Sequence, residues 1–311
     1  MTDCFARTDG STTQACNATE CLYCGGTGRG MIYHLDYIQG MGFDAVMIYP
    51  VAKNVEGRVS YGEAYHRYWD LLDLSKALHN RCMLLMMDTV INNMAYIANG
   101  KNREQRQSTY SIDGLRLDAA KHIIPEFLPL FQKATGDAFI TGEVFDKSVQ
   151  RTCSYQAHLP STPNYPIYFS MLDAFTRGNT TVLPGQVEIM KHNCRDVAKN
   201  VLIFTILFDD IPIIYQGQEL HFSGAHDPDD REALWLSNYD NNAPLYKLIS
   251  TLNTIRKRLP RRSRTVMVLS MQGTNSGAYT IRMTNGSVWF YASGINSLHI
   301  RGTNRWKIGD E

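Results

Sequence analysis

Short apolar runs alternate with helical patterns over most of this chain, and that alternation restricts its fold more than any other feature. "FDAVMIYPV" (43–51), "CMLLMMDTV" (82–90), "GLRLD" (114–118) and "DAFITGEVFD" (137–146) read as strands. They are apolar almost throughout rather than at every second residue, as strands buried on both faces are. "MIYHLDYIQGMG" (31–42), "LSKALHNR" (74–81) and residues 125–134 carry apolar residues at helical spacing. Further on, "RDVAKNVLIFTILF" (195–208) reads as helix, "IPIIYQGQE" (211–219) as strand and "PLYKLISTLNTIRKRL" (244–259) as helix. Strands joined through helices run parallel, so the choice lies between a closed β/α barrel and an open doubly wound sheet.

The texture changes after residue 262. "TVMVLSM", "AYTIRM" and "SVWFYA" are separated by the turn-rich strings "QGTNSG" and "TNGS", which predicts a small antiparallel β module. The expected organisation is a β/α domain over residues 1–260 and a partial β-sandwich domain over 261–311.

Charge and cysteine content narrow the function. A formal net charge of +1 over 311 residues argues against nucleic acid or an anionic membrane surface as partner. No apolar run approaches the ~20 residues of a membrane span, and "MTDCFARTDG" has no apolar leader segment. The seven cysteines are an odd number, so at least one is unpaired. "CLYC" (21–24) lacks the second spaced pair of a zinc site. Sequons at Asn17, Asn179 and Asn285 are compatible with secretion.

Acids fall where a barrel would use them. Asp88 closes "LLMMD", Asp118 closes "LRLD" and Glu143 closes "FITGE". In a β/α barrel the strand C-termini form one rim, and the active site lies there. Alternate residues of a strand share a face, so Arg116 and Asp118 point the same way. Read plainly, they are a structural ion pair. Read with the other acids, they belong to a pair of carboxyls of the kind that cleaves glycosidic bonds. Arg116 should keep Asp118 ionised, suiting a nucleophile. Glu143, in an apolar strand with no adjacent cation, should have its pKa raised by desolvation, suiting a general acid. Sequence spacing leaves retaining and inverting chemistry both open.

"GLRLDAAKH" and "GEVFD" resemble the two central motifs of the α-amylase family of glycoside hydrolases. "FARTDGSTT", "YCGGT", "LDYIQGMGF", "YGEAYHRYW", "NYPIYF", "IPIIYQGQE" and "DPDDREALWLS" extend the likeness to the secreted fungal members, from residue 3 to about residue 260. The resemblance implies a (β/α)8 barrel, an extracellular location, calcium, and retaining hydrolysis of internal α-1,4 bonds of starch or glycogen by a monomer. It makes Asp118 the nucleophile, Glu143 the acid/base and Arg116 the residue that orients Asp118. Lys121 and His122 would contact the leaving-group side. Tyr68 would stack on the sugar before the scissile bond, with His66 and Trp69 beside it, and Asp227 and Arg231 would hold donor-side sugars. Asn92 and the His122 carbonyl would bind calcium. Cys16–Cys24 and Cys153–Cys194 would be disulfides, leaving Cys4, Cys21 and Cys82 unpaired. Without the resemblance, "YHRYW" is an aromatic core cluster and "DPDDR" a capped turn.

The chain also departs from the family pattern. No motif of the "FVENHD" type, which carries a third carboxylate, follows "KHNC", so strand seven of the barrel is expected to be missing. Asn93 stands where the family has a histidine. Only "IANGKNREQRQSTY" separates "NNMAY" from "SIDGL", where the family has a calcium-binding subdomain. Calcium binding is therefore expected to be weak or lost, because the ion takes six to eight oxygens. Two functions follow: a working α-1,4-glucan hydrolase, or a catalytically impaired amylase-like protein that binds glucan. A barrel enzyme using phosphate or nicotinamide is disfavoured, since no Gly-rich phosphate loop follows any strand.

Overall fold

The computed structural model describes residues 2–20, 23–50, 68–91, 111–166, 168–170, 206, 211–220, 222 and 229–258, and the backbone of four strands between 264 and 302. The chain divides into two compact units, Met1–Glu143 with Ile214–Thr251, and Val144–Ile213 with Leu252–Glu311.

The first unit opens with α1 (Thr2–Phe5), α2 (Gly28–Tyr33) and α3 (Leu35–Gly40). The single helix expected over 31–42 is broken at His34, whose φ of −117° and ψ of 20° leave the helical region. Thr27 caps α2, its hydroxyl accepting from the Gly30 N–H at 2.9 Å. Gly30 has no alternative: a Cβ there would stand 2.2 Å from the Ala6 carbonyl oxygen, because the helix rests directly on the backbone of Ala6 and Arg7.

Next come β1 (Ala45–Ile48), α4 (Tyr68–His79), β2 (Leu84–Val90), β3 (Gly114–Asp118), α5 (Phe127–Ala134) and β4 (Phe139–Gly142). The four strands form one parallel sheet in the order β1-β2-β3-β4. Spatial order equals sequence order. A doubly wound sheet reverses its direction of growth partway, whereas a barrel adds each strand beside the last. This sheet grows in the barrel manner. The register sets Asp88 opposite Arg116 and Val90 opposite Asp118 across β2–β3, and Leu117 opposite Gly142 across β3–β4.

Apolar packing holds this arrangement. Leu71, Leu74 and Leu78 of α4 recur at helical spacing and are buried, as are Val46, Ile48, Leu85, Leu115, Leu117 and Ile140 of the sheet and Leu128 and Phe131 of α5. Each such side chain contributes about 1.5–3 kcal/mol when removed from water. Trp235 is fully buried, and its indole N–H donates to the Gln14 carbonyl at 2.8 Å.

The run at 211–219, expected as a strand, is not one. Among the described residues Ile211–Tyr215 joins no strand ladder, a turn follows, and Gln218–Leu220 forms a 3-10 helix. Side chains have taken the backbone donors: Gln218 Oε1 accepts from the Tyr215 N–H at 2.9 Å and Glu219 Oε2 from the Gly217 N–H at 2.8 Å. Gly217, at φ +92°, makes the turn in the left-handed region.

The second unit holds α6 (Val149–Ser154), capped by Ser148, whose hydroxyl accepts from the Arg151 N–H. A long helix, α7 (Pro244–Arg258), which belongs to the first unit up to Thr251 and to the second from Leu252, follows the expected 244–259 pattern. Beyond it, β5 (Arg264–Ser270), β6 (Ser276–Met283), β7 (Gly286–Ser293) and β8 (Leu298–Gly302) form an antiparallel sheet in sequence order. Sequence patterning located three of these strands. "LHIRG" of β8 was not among them. Among the described residues, no helix is long and apolar enough to cross a membrane.

Candidate active site

Arg116 stands at the centre of the acidic edge of the parallel sheet. Its Nη1 donates to Asp88 Oδ2 at 2.6 Å and to Asp118 Oδ1 at 2.9 Å, and its Nη2 pairs with Glu143 Oε2 at 2.9 Å. Strand register explains the cluster. Arg116 and Asp118 share a face of β3, Asp88 sits directly across on β2, and Glu143 follows the last residue of β4. The Glu143 N–H donates to the Leu117 carbonyl at 2.8 Å, and the Lys121 N–H to the Glu143 carbonyl at 3.1 Å. These bonds prolong the β3–β4 ladder and set the Glu143 carboxylate beside Asp118.

This geometry changes two sequence expectations. Glu143 does have an adjacent cation, and it is the same Arg116. Asp118, in turn, is not held low by that arginine. Its carboxyl is pushed up to about 6, by burial first and by a hydrogen bond with Glu143 second, with Arg116 pulling the other way. Asp88 is also raised by burial against the pull of Arg116. Arg116 is pushed up by its three carboxylates despite its own burial. One guanidinium therefore serves three acids, and one of the two facing carboxyls is poised to keep a proton into the mildly acidic range.

A backbone feature completes the cluster. Ala119 has a φ of +51°, in the left-handed region that non-glycine residues seldom occupy, and its N–H donates to Glu143 Oε2 at 3.2 Å. Strain of this kind collects at functional sites. No sequence signal marks an alanine for that conformation, so this donor was not foreseen. After it, Ala120–His122 forms a short 3-10 helix carrying Lys121, half-buried, and His122, exposed.

The remaining candidates divide. Tyr68 and Trp69 begin α4. Arg231 lays its guanidinium over the Tyr49 ring, 5.7 Å from its centre. Cys16 and Cys24 are bonded, Cys4 and Cys82 are free, and Cys153 is disulfide-bonded. His66, Asn92, Asn93, Cys21, Asp227 and Cys194 lie outside the described residues. Of the calcium ligands expected, only the His122 carbonyl is described. Asn92 lies outside those residues, and calcium enters no step of the chemistry below.

Comparison with known proteins agrees with this geometry. The family model for the α-amylase catalytic domain matches residues 1–111. α-Amylase 2 of Schwanniomyces occidentalis is 35% identical, the alignment covering 83% of this chain and 70% of that protein. The α-amylase of Saccharomycopsis fibuligera is 32% identical over 98% of this chain and 81% of its own length. The first alignment runs over 358 positions. Since 83% of 311 residues is about 258, about 100 positions of it have no counterpart here. Among solved structures, an α-amylase from Malbranchea cinnamomea superposes with a TM-score of 0.84 at 28% identity, covering 94% of this chain and 84% of that one. Fold, acidic cluster and sequence converge on one assignment: this chain belongs to the α-amylase family of glycoside hydrolases.

Proposed function

We propose that the chain hydrolyses internal α-1,4-glucosidic bonds of starch or glycogen with retention of configuration. The observation that carries this reading is the single Arg116 guanidinium bonded to Asp88, Asp118 and Glu143. Asp118 is the nucleophile: once ionised, it attacks the anomeric carbon and forms the glycosyl-enzyme. Glu143 protonates the departing glycosidic oxygen, then deprotonates the water that releases the sugar. Two carboxyls gripping the two arms of one guanidinium favour the short separation of retaining enzymes, roughly 5–5.5 Å, over the wider spacing of inverting ones. Arg116 holds the nucleophile in place, and the Ala119 N–H steadies the Glu143 carboxylate.

Around this centre, Tyr68 stacks on the sugar before the cleaved bond with His66 and Trp69 beside it. Lys121 and His122 contact the leaving group, and Asp227 and Arg231 the donor side. Asn92 and the His122 carbonyl are the residues of this chain from which calcium binding would start. Residues 1–260 are the catalytic domain, a barrel without its seventh strand, and 261–311 are a partial β-sandwich. Cys153 pairs with Cys194. The protein acts as a monomer outside the cell.

A second reading has its own support: the chain is an amylase-like protein with impaired catalysis that binds glucan. Asn93 in place of a histidine and the roughly 100 unmatched positions favour it. One experiment separates the two. Purified protein is given soluble starch, reducing ends are counted, and the Glu143→Gln variant is run beside it. Turnover that the substitution abolishes supports hydrolysis. Equal, negligible release from both, with starch retarding both in affinity electrophoresis, supports the binding protein.

A further inference from the structure

Three cysteine sulfurs meet near the start of the chain, in a group distinct in its residues from the acidic cluster. The Sγ atoms of Cys4, Cys16 and Cys24 all lie within 4.8 Å of one another. Cys16 and Cys24 are joined, and Cys4 is free and buried. A disulfide thus has a third thiol at its side, and glycoside hydrolysis uses none of the three.

The backbone fixes Cys4 against Cys24 in particular. The Cys24 N–H donates to Asp3 Oδ2 at 3.3 Å, and the Gly26 N–H to the Asp3 carbonyl at 2.8 Å. The Thr27 N–H reaches the Ala6 carbonyl at 2.9 Å, and Arg7 Nη1 the Cys24 carbonyl at 2.8 Å. Segments 3–7 and 24–27 are therefore laced together. Gly26 permits it, since a Cβ there would stand 2.4 Å from the Asp3 carbonyl oxygen. Cys16 sits differently, on a loop whose neighbours Ala15 and Asn17 are exposed.

We infer that Cys4 and Cys16 compete for Cys24, so that the segment is a thiol–disulfide exchange site holding either a Cys16–Cys24 or a Cys4–Cys24 bond. The Cys4 thiol gives its proton to solvent, and the thiolate attacks the Cys24 sulfur. The Cys4–Cys24 bond forms as Cys16–Cys24 breaks, the electron pair leaves on Cys16, and that thiolate takes a proton from water. One disulfide exists before and after, so no oxidant is consumed. Cys24 is the sulfur retained because it is pinned beside Cys4, and Cys16 leaves because its thiolate emerges on the more exposed loop.

Asp3 acts as the brake. Exchange requires the thiolate, and the Cys4 S–H donates to Asp3 Oδ1 at 3.0 Å. Burial first, then the Asp3 carboxylate, push the Cys4 thiol up, while the terminal amino group and Arg231 pull it down. Tyr215, a further titratable neighbour, is itself kept protonated by burial. Exchange is consequently slow at neutral pH.

The test uses the full chain carrying Cys21→Ser, because Cys21 shares a proteolytic peptide with Cys24. Folded protein is held at neutral and at alkaline pH, acid-quenched, labelled with N-ethylmaleimide in denaturant, and cut after Arg7 and Glu20. Linked Cys4–Cys24 peptides with labelled Cys16 are expected, forming about tenfold faster per pH unit as the thiolate fraction grows. Asp3→Asn should hasten them several-fold. Linked Cys16–Cys24 with labelled Cys4 at every pH would overturn the inference. A second variant, Cys16→Ser, should close a Cys4–Cys24 bond in air, and two labelled thiols there would overturn it equally.

Discussion

Arg116 Nη1 lies 2.6 Å from Asp88 Oδ2, closer than the 2.9 Å that separates it from Asp118. The shorter bond goes to the acid on the neighbouring strand, which sets where the guanidinium stands and leaves its other arm for Glu143. Lysine could not reproduce this, since its ammonium is a point charge without a planar fork. Arg116→Lys should lower kcat on soluble starch by about 10²–10³-fold, the usual loss when one preorganised electrostatic partner is removed. Arg116→Leu, which leaves buried acids unpaired, should also cost about 3–5 kcal/mol in urea unfolding. A lysine variant with normal kcat would show that the fork is dispensable.

Asp88 touches the proposed catalytic pair through Arg116 and through its charge on Asp118, which is among the causes raising that carboxyl. Asp88→Asn removes the charge and keeps the shape. The acid limb of kcat/KM against pH should move to lower pH while measurable activity persists. An unmoved limb would separate Asp88 from the nucleophile.

The raised carboxyl of Asp118 has two consequences for pH. As the proposed nucleophile it must be ionised, so activity should fall as pH drops through about 6. Stability runs the other way. The folded state keeps the proton between the ordinary value of 3.8 and about 6, where the unfolded chain has lost it. The contribution of Asp118 to stability is therefore full below 3.8 and declines as pH rises through that window. Asp118→Asn should raise the melting temperature by a few degrees above pH 6 and leave it unchanged near pH 3.5. A variant less stable at neutral pH would refute the assignment.

Calcium should bind this chain with a dissociation constant weaker than about 1 μM, because the oxygens such an ion requires come from several acidic ligands and the stretch expected to supply them is short. Calorimetric titration measures it directly. Tighter binding would point to acids within 101–107 as replacements.

Gly30→Ala should destabilise the fold by about 1–3 kcal/mol, the range for overpacking a filled site. The new Cβ would stand 2.2 Å from the Ala6 carbonyl oxygen, and backbone cannot give way as a flexible side chain can. Gly10→Ala is a useful comparison, since nothing lies within 4 Å of its Cβ position although its φ of +72° adds local strain. An equal urea midpoint for Gly30→Ala and the parent chain would rule out the close approach.

Much of this protein was decided locally, and that part is legible in its sequence. Apolar runs at 43–51, 82–90, 114–118 and 137–146 hold β1 to β4, although β1 alternates buried Val46 and Ile48 with exposed Ala45 and Met47, so the expected burial of both faces does not hold there. The 244–259 pattern became α7 through one buried stripe at helical spacing. Strand-end acids were visible too, as was the shared face of Arg116 and Asp118, which follows from the two-residue period of a strand. What the sequence could not decide was anything that depends on the facing element. The register that sets Asp88 across from Arg116, and the prolonged β3–β4 ladder that brings Glu143 to the same guanidinium, exist only once strands pair. They overturned the expectation that Glu143 has no adjacent cation. The left-handed Ala119, the side chains that diverted 211–219 from a strand, and the meeting of Cys4 with Cys16 and Cys24 have the same origin. Each is an interaction between groups whose separation is set by backbone hydrogen bonds and burial, and no local pattern of residues encodes that distance.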